Sequence, residues 1–149
     1  MNDCLFCKIL AWDIPSAIVW ENQDYYAFLD LFPNCYWQTL VIPKKHHDSQ
    51  IFEMWESEYS ELLLAAKKVS ELLKEQLKVE RVWMIIEWMW VNHAHIKLYP
   101  MHWLNKKWSP NESQSTEYYE KYPWFLTTKM WEMLSPEKLE SVQKNIIKC

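Results

Sequence analysis

Glycine is absent from this 149-residue chain, although average usage near 7% would supply about ten. Turns that need a positive φ nearly always use it, so the chain lacks the ordinary means of turning sharply. Long apolar runs are missing too. The longest, residues 82–91, is interrupted by Glu87 and is too short to cross a bilayer. Nor is there an excess of positive charge: the formal net charge is -4 and the pI is near 5.7, which argues against a dedicated nucleic-acid face. The opening MNDCLFCKIL has neither a basic stretch nor a small-residue cleavage site, so no signal peptide is expected. What is present is 50% hydrophobic and 24% charged residues, the composition of an ordinary globular domain, together with eleven tryptophans.

Four cysteines without a secretion signal do not suggest a disulfide framework, and they point to a reducing, cytoplasmic setting. Cys4 and Cys7 form a C-x-x-C pair, while Cys35 and Cys149 stand apart. Such a pair reads either as half a metal site or as a redox dithiol. The redox motif normally follows a strand, and nothing before Cys4 supplies one.

Residues 18–31, IVWENQDYYAFLDL, read as two short strands around a polar turn. Residues 38–42, QTLVI, read as a strand that stops at Pro43. Over residues 57–77, Tyr59, Leu62, Leu63, Ala66, Val69, Leu73 and Leu77 recur at spacings of three and four, the mark of a long amphipathic helix. Residues 82–86 and 91–99 are two further strand candidates. Residues 105–117 form a polar stretch, and Ser135-Pro136 opens a last helix with a Ser cap and Pro at the first helical position. No repeat or linker divides residues 1–149, which are expected to form a single α+β domain with a mainly antiparallel sheet of about five strands, one long helix and a C-terminal helix.

The most informative segment is NHAHIKLYP. On a strand, His93, His95 and Lys97 would share one face, because side chains alternate. They form either a row of phosphate-contacting groups or merely the wet face of an edge strand.

Four blocks, DCLFCKILAWDIPSAIV, AFLDLFP, TLVIPKKH and NHAHIKLYP, occur in that order with the long helix between the third and fourth. In this they resemble the histidine triad (HIT) family of nucleotide hydrolases and transferases, and the first three blocks resemble its zinc-containing bacterial branch. The resemblance covers residues 3–103 and leaves 104–149 as a C-terminal extension. It implies a HIT-like fold and an enzyme, a phosphoramidase or dinucleoside polyphosphate hydrolase. His93 takes the first triad position and His95 the second, the nucleophile that attacks the α-phosphate of a purine nucleotide derivative to form a nucleotidyl-histidine. A neutral imidazole at pH 7 is competent for that step. Asp30 falls where the family binds ribose hydroxyls, a task that suits a carboxylate. Leu5, Phe6, Ile9, Phe28 and Leu31 match positions that sandwich the base. Cys4, Cys7, His46 and His93 match the ligands of a structural zinc, two thiolates and two imidazoles in the closed tetrahedral set of such sites. The family habit implies a homodimer acting on a small nucleotide, with no nucleic-acid or membrane partner.

Two departures stand out. Lys97 occupies the third triad position; it supplies a phosphate-binding charge but not a near-neutral proton shuttle. An alternative is therefore a zinc-stabilised nucleotide-binding module with little or no turnover. The second departure is tryptophan. Trp12, Trp37, Trp88 and Trp90 stand where the family shows glycine or another small residue, and Trp55, Trp83, Trp103, Trp124 and Trp131 lie beside turn-like or element-ending positions. These nine together restore about the glycine count the length predicts. They are read as glycines encoded by UGA and translated as tryptophan, with deliberate substitution or a genuinely tryptophan-rich chain as alternatives. Trp20 and Trp108 read as ordinary aromatics.

Overall fold

A computed structural model describes residues 3–33, 35–88 and 90–102. The described residues all fall in one compact unit, Met1–Lys106. The expected polar stretch at 105–117, the C-terminal helix at Ser135-Pro136 and the extension as a whole lie outside the described residues.

The described elements run α1 (Leu5–Leu10), β1 (Ile18–Glu21), β2 (Tyr25–Leu29), β3 (Thr39–Pro43), a short 3-10 turn (Ile51–Glu53), α2 (Glu56–Leu77), β4 (Val82–Ile86) and β5 (Ile96–Pro100). The strands form one antiparallel sheet in the order β1-β2-β3-β5-β4. The expected α+β class and five-stranded sheet are thus what the chain adopts. The hairpin, the strand ending at Pro43 and the long helix lie within a residue or two of their expected bounds.

β2 and β3 occupy the middle of the sheet and are buried on both faces. That explains why YYAFL and TLVIP read as continuous apolar runs rather than as alternating ones. On one face Tyr25, Ala27, Val41, Ile96 and Leu98 pack against Leu62, Ala65, Ala66, Val69 and Leu73 of α2. On the other face Tyr26, Phe28, Leu40 and Ile42 pack against Phe6 and Ile9 of α1. The short α1 has no counterpart in the sequence expectations: six residues are too few for a periodic pattern to declare itself.

The Tyr25 hydroxyl donates to the Glu61 carboxylate at 3.3 Å beside α2. Burial, with Glu61 second, pushes the phenol up to about 12. Folding favours the neutral phenol, so this contribution is fully present below the free value of about 10 and is lost as pH rises through about 12. A Tyr25→Phe variant is expected to lose less stability than the parent across that window, measured by urea unfolding at stepped pH.

One expected strand begins late. β5 starts at Ile96 rather than at residue 91, so His93 and His95 precede the ladder. The reason lies in tertiary hydrogen bonds. The Ala94 N–H donates to the His47 carbonyl at 2.9 Å, and the Asn92 carboxamide accepts from both the N–H and the hydroxyl of Ser49 at 3.0 Å. The segment is tied to the loop after β3 instead of to a neighbouring strand.

Among the described residues, positive φ occurs at Trp12 (64°), Trp37 (66°), Lys78 (54°) and Trp90 (75°). Trp12 follows the C-cap of α1; its N–H donates to the Ile9 carbonyl at 3.0 Å, and Asp13 N–H donates to the Lys8 carbonyl at 2.9 Å. That pair of bonds is the Schellman motif, whose left-handed residue is usually glycine. Trp37 is the third residue of the turn closed by Gln38 N–H to the Cys35 carbonyl, where a positive φ calls for glycine. Trp55, with φ -58°, and Trp83, within β4, have backbones any residue adopts. Trp20 packs against the α2-side core as an ordinary aromatic would.

Candidate active site and metal centre

The N-terminal segment, the loop after β3 and the approach to β5 converge on four side chains. Cys4 and Cys7 come from α1 and its cap, His46 from beyond Pro43, and His93 from the turn before β5. One ligand atom from each lies within 4.8 Å of all the others. His93 Nδ1 is 3.5 Å from Cys4 Sγ and 3.7 Å from Cys7 Sγ, and His46 Nδ1 is 3.4 Å from Cys7 Sγ. A tetrahedral zinc with bonds of about 2.3 Å to sulfur and 2.0 Å to nitrogen separates S from N by about 3.5 Å. These three sulfur–nitrogen spacings match such a site, and the cluster is compatible with zinc. His93 is also prepared as a ligand. Its Nε2–H donates to the Pro43 carbonyl at 2.9 Å, which leaves the Nδ1 lone pair facing the sulfurs. Burial lowers its pKa to about 4, so the ring is neutral. Burial raises the Cys7 thiol, the opposite of what activates a redox cysteine.

His95 lies two residues further on, with only 1% of its surface exposed. Its Nδ1 is 2.7 Å from the His93 carbonyl. A carbonyl only accepts, so the proton sits on Nδ1 and Nε2 presents a lone pair. Burial pushes the imidazole below its ordinary value; the His93 carbonyl opposes this and the Lys97 ammonium adds to it. A neutral ring with a fixed tautomer is the nucleophilic form. Phe6 holds it edge-on, with ring centres 5.3 Å apart, and meets Phe28 at 5.7 Å.

Lys97, on β5, forms an ion pair with Glu87, whose carboxylate also lies 3.9 Å from His95 Nε2. Glu87 follows β4 and sits opposite His95 when the Ile86↔Ile96 pairing is extended by one step. Sequence reasoning passed over it. The available signal was a lone acid in an apolar stretch, at the position an antiparallel hairpin would place across from His95.

Asp30 follows β2. Its Oδ1 accepts the Phe32 N–H at 2.9 Å, and its Oδ2 accepts the Gln38 carboxamide at 2.5 Å. Gln38 is buried and was also missed; continued β2–β3 pairing places it opposite Asp30. Of the apolar residues expected around a base, Phe6, Ile9 and Phe28 are buried, whereas Leu5 and Leu31 are exposed at 36% and 52%.

A family model, the HIT domain, matches residues 12–104. The chain belongs to the HIT family. It is 40% identical over 72 residues to a HIT-like protein of Methanocaldococcus jannaschii, a match spanning 48% of this chain and 55% of that one. The chain thus matches about half the length of that relative. It is 33% identical over 98 residues to the adenosine 5'-monophosphoramidase of Schizosaccharomyces pombe, covering 65% of this chain and 73% of that one. Among solved structures, one from Streptococcus mutans superposes with TM-score 0.73 at 30% identity, covering 99% of this chain and 85% of that one. No helix among the described residues is long and apolar enough to cross a membrane.

Proposed function

We propose that this HIT protein is a nucleotide hydrolase of the phosphoramidase type, acting on a purine nucleotide derivative at its α-phosphate. The observation that carries the reading is His95, buried and neutral, with Nδ1 held by the His93 carbonyl and Nε2 near Glu87, which is ion-paired with Lys97. The Nε2 lone pair forms a bond to phosphorus, and the bond from phosphorus to the leaving nitrogen breaks with its electron pair, that nitrogen taking a proton from water. A second water then cleaves the nucleotidyl-histidine and returns the electron pair to Nε2. Lys97 neutralises non-bridging oxygens, Asp30 accepts ribose hydroxyls, and Leu5, Phe6, Ile9, Phe28 and Leu31 flank the base. The relationship to the fission-yeast phosphoramidase supports the choice of an adenosine phosphoramidate as test substrate.

Cys4, Cys7, His46 and His93 would hold a structural zinc. The ion would tie the N-terminal helix to the triad segment and leave the chemistry to His95. His93 then serves twice, as ligand through its ring and as orienter of His95 through its carbonyl. A homodimer is supported by the edge position of β4, where Met84 stays half exposed. That Cys4, Cys7 and Cys35 form no disulfide among the described residues suits a reducing compartment such as the cytoplasm.

A second reading, a nucleotide-binding module with little turnover, is favoured by Lys97 at the third triad position and by Trp90, 88% exposed in the loop before the triad. Incubation with adenosine 5'-phosphoramidate separates the two. The hydrolase reading expects AMP release that depends on His95, and binding without release would sink it.

The reading extends to the polypeptide itself. Left-handed backbone at Trp12, Trp37 and Trp90 supports glycine at these positions in the natural chain, encoded by UGA. A non-glycine residue there costs about 1–2 kcal/mol, partly offset by glycine's larger unfolded-state entropy. All three side chains are at least half exposed, so little packing is lost on their removal. Trp12→Gly, Trp37→Gly and Trp90→Gly are each expected to raise stability by about 1 kcal/mol in urea melts. Intact mass of the native protein is the direct check: a mass matching eleven tryptophans excludes recoding.

A further inference from the structure

We propose that Glu87 stabilises the positive charge that arises on the His95 ring when Nε2 bonds phosphorus, and that it does so at the expense of phosphate affinity. This rests on the reading of His95 as nucleophile. Before attack the ring is neutral. Once Nε2 has given its lone pair to phosphorus, Nδ1 keeps its proton, held by the His93 carbonyl at 2.7 Å, and the ring carries a positive charge. The Glu87 carboxylate, 3.9 Å from Nε2, meets that charge only as the bond forms. An interaction absent from the ground state and present in the transition state accelerates the step.

The setting strengthens the effect. The side chains of Glu87 and His95 are 15% and 2% exposed, so water screens them little. Glu87 directly follows β4 and His95 directly precedes β5, one step beyond the Ile86↔Ile96 pair, so the paired strands hold the two side chains near each other before the reaction.

The same carboxylate faces the place where an anionic phosphate must arrive. Lys97, ion-paired with Glu87, offsets that repulsion in part. The pair divides the work: Lys97 favours the phosphate in every state, whereas Glu87 opposes it when bound and favours the bonded intermediate.

The test compares full-length wild type, Glu87→Gln, Glu87→Asp and Lys97→Met, matched for melting temperature. The readouts are kcat on adenosine 5'-phosphoramidate and equilibrium affinity for AMP. Glu87→Gln is expected to lower kcat at least tenfold while binding AMP as tightly as wild type or more so. Glu87→Asp should recover part of kcat, and Lys97→Met should weaken AMP binding about tenfold. If Glu87→Gln loses AMP affinity in step with kcat, its role is structural and the inference falls. An unchanged kcat also overturns it. Wild type that binds AMP without cleaving it overturns the hydrolase reading and this inference together, whereas wild type that cleaves while Glu87→Gln shows no split overturns this inference alone.

Discussion

Replacing His95 with alanine is expected to reduce cleavage of adenosine 5'-phosphoramidate by three or more orders of magnitude, to the level of solvent hydrolysis. Glu87 is the only acid known to contact Nε2 among the described residues, and it is committed to Lys97. Loss of a covalent nucleophile removes the two-step route altogether, so the effect far exceeds that of losing one hydrogen bond. AMP affinity should change little, since the imidazole contributes no charge to the resting site. The measurements are single-turnover cleavage and trapping of a nucleotidyl adduct by mass spectrometry, with folding checked by circular dichroism. Activity within tenfold of wild type, or an adduct that persists in His95→Ala, would reject His95 as the nucleophile.

Metal removal is expected to have the second large effect. Two thiols and two imidazoles converge with sulfur–nitrogen distances of 3.4 to 3.7 Å. Without a cation, burial of these groups returns little. An ion present at a thousand times its dissociation constant stabilises the folded state by about 4 kcal/mol. For a domain of this size its loss corresponds to a fall in Tm on the order of 15 °C. Chelator treatment and Cys7→Ser should both produce that fall and release bound zinc, measured by elemental analysis. Cys35→Ser lies outside the cluster and should leave metal content unchanged. A catalytic consequence is expected as well, because on the proposed reading His93 would supply both a ligand nitrogen and, through its carbonyl, the contact that holds His95. A chelated protein, metal-free by analysis, that melts at the original temperature would reject a structural ion.

Much of the fold was legible because its elements announce themselves locally. Spacings of three and four mark α2, and the buried run TLVIP marks β3. α1 was not legible: six residues give no period, and only packing of Phe6 and Ile9 against β2 and β3 reveals the helix. The late start of β5 was not legible either, because the hydrogen bonds of Ala94 and Asn92 run to residues more than forty positions away. The residue types of the site, the thiols, imidazoles and Asp30, were visible in the chain. Their partners Gln38 and Glu87 were not, since each is identified by what lies across the sheet rather than by its neighbours in sequence.

The sequence by itself determined the class of the fold, the chemistry available to it and the anomaly it began with, no glycine and eleven tryptophans. Tertiary structure decided which of those tryptophans occupy backbone that favours glycine: φ is positive at Trp12, Trp37 and Trp90, and at the first two it is set by turns closed by backbone hydrogen bonds. It also decided that a carboxylate stands beside His95. Local propensity acts within a few residues, whereas a site is assembled by strands whose register brings distant residues within bonding distance.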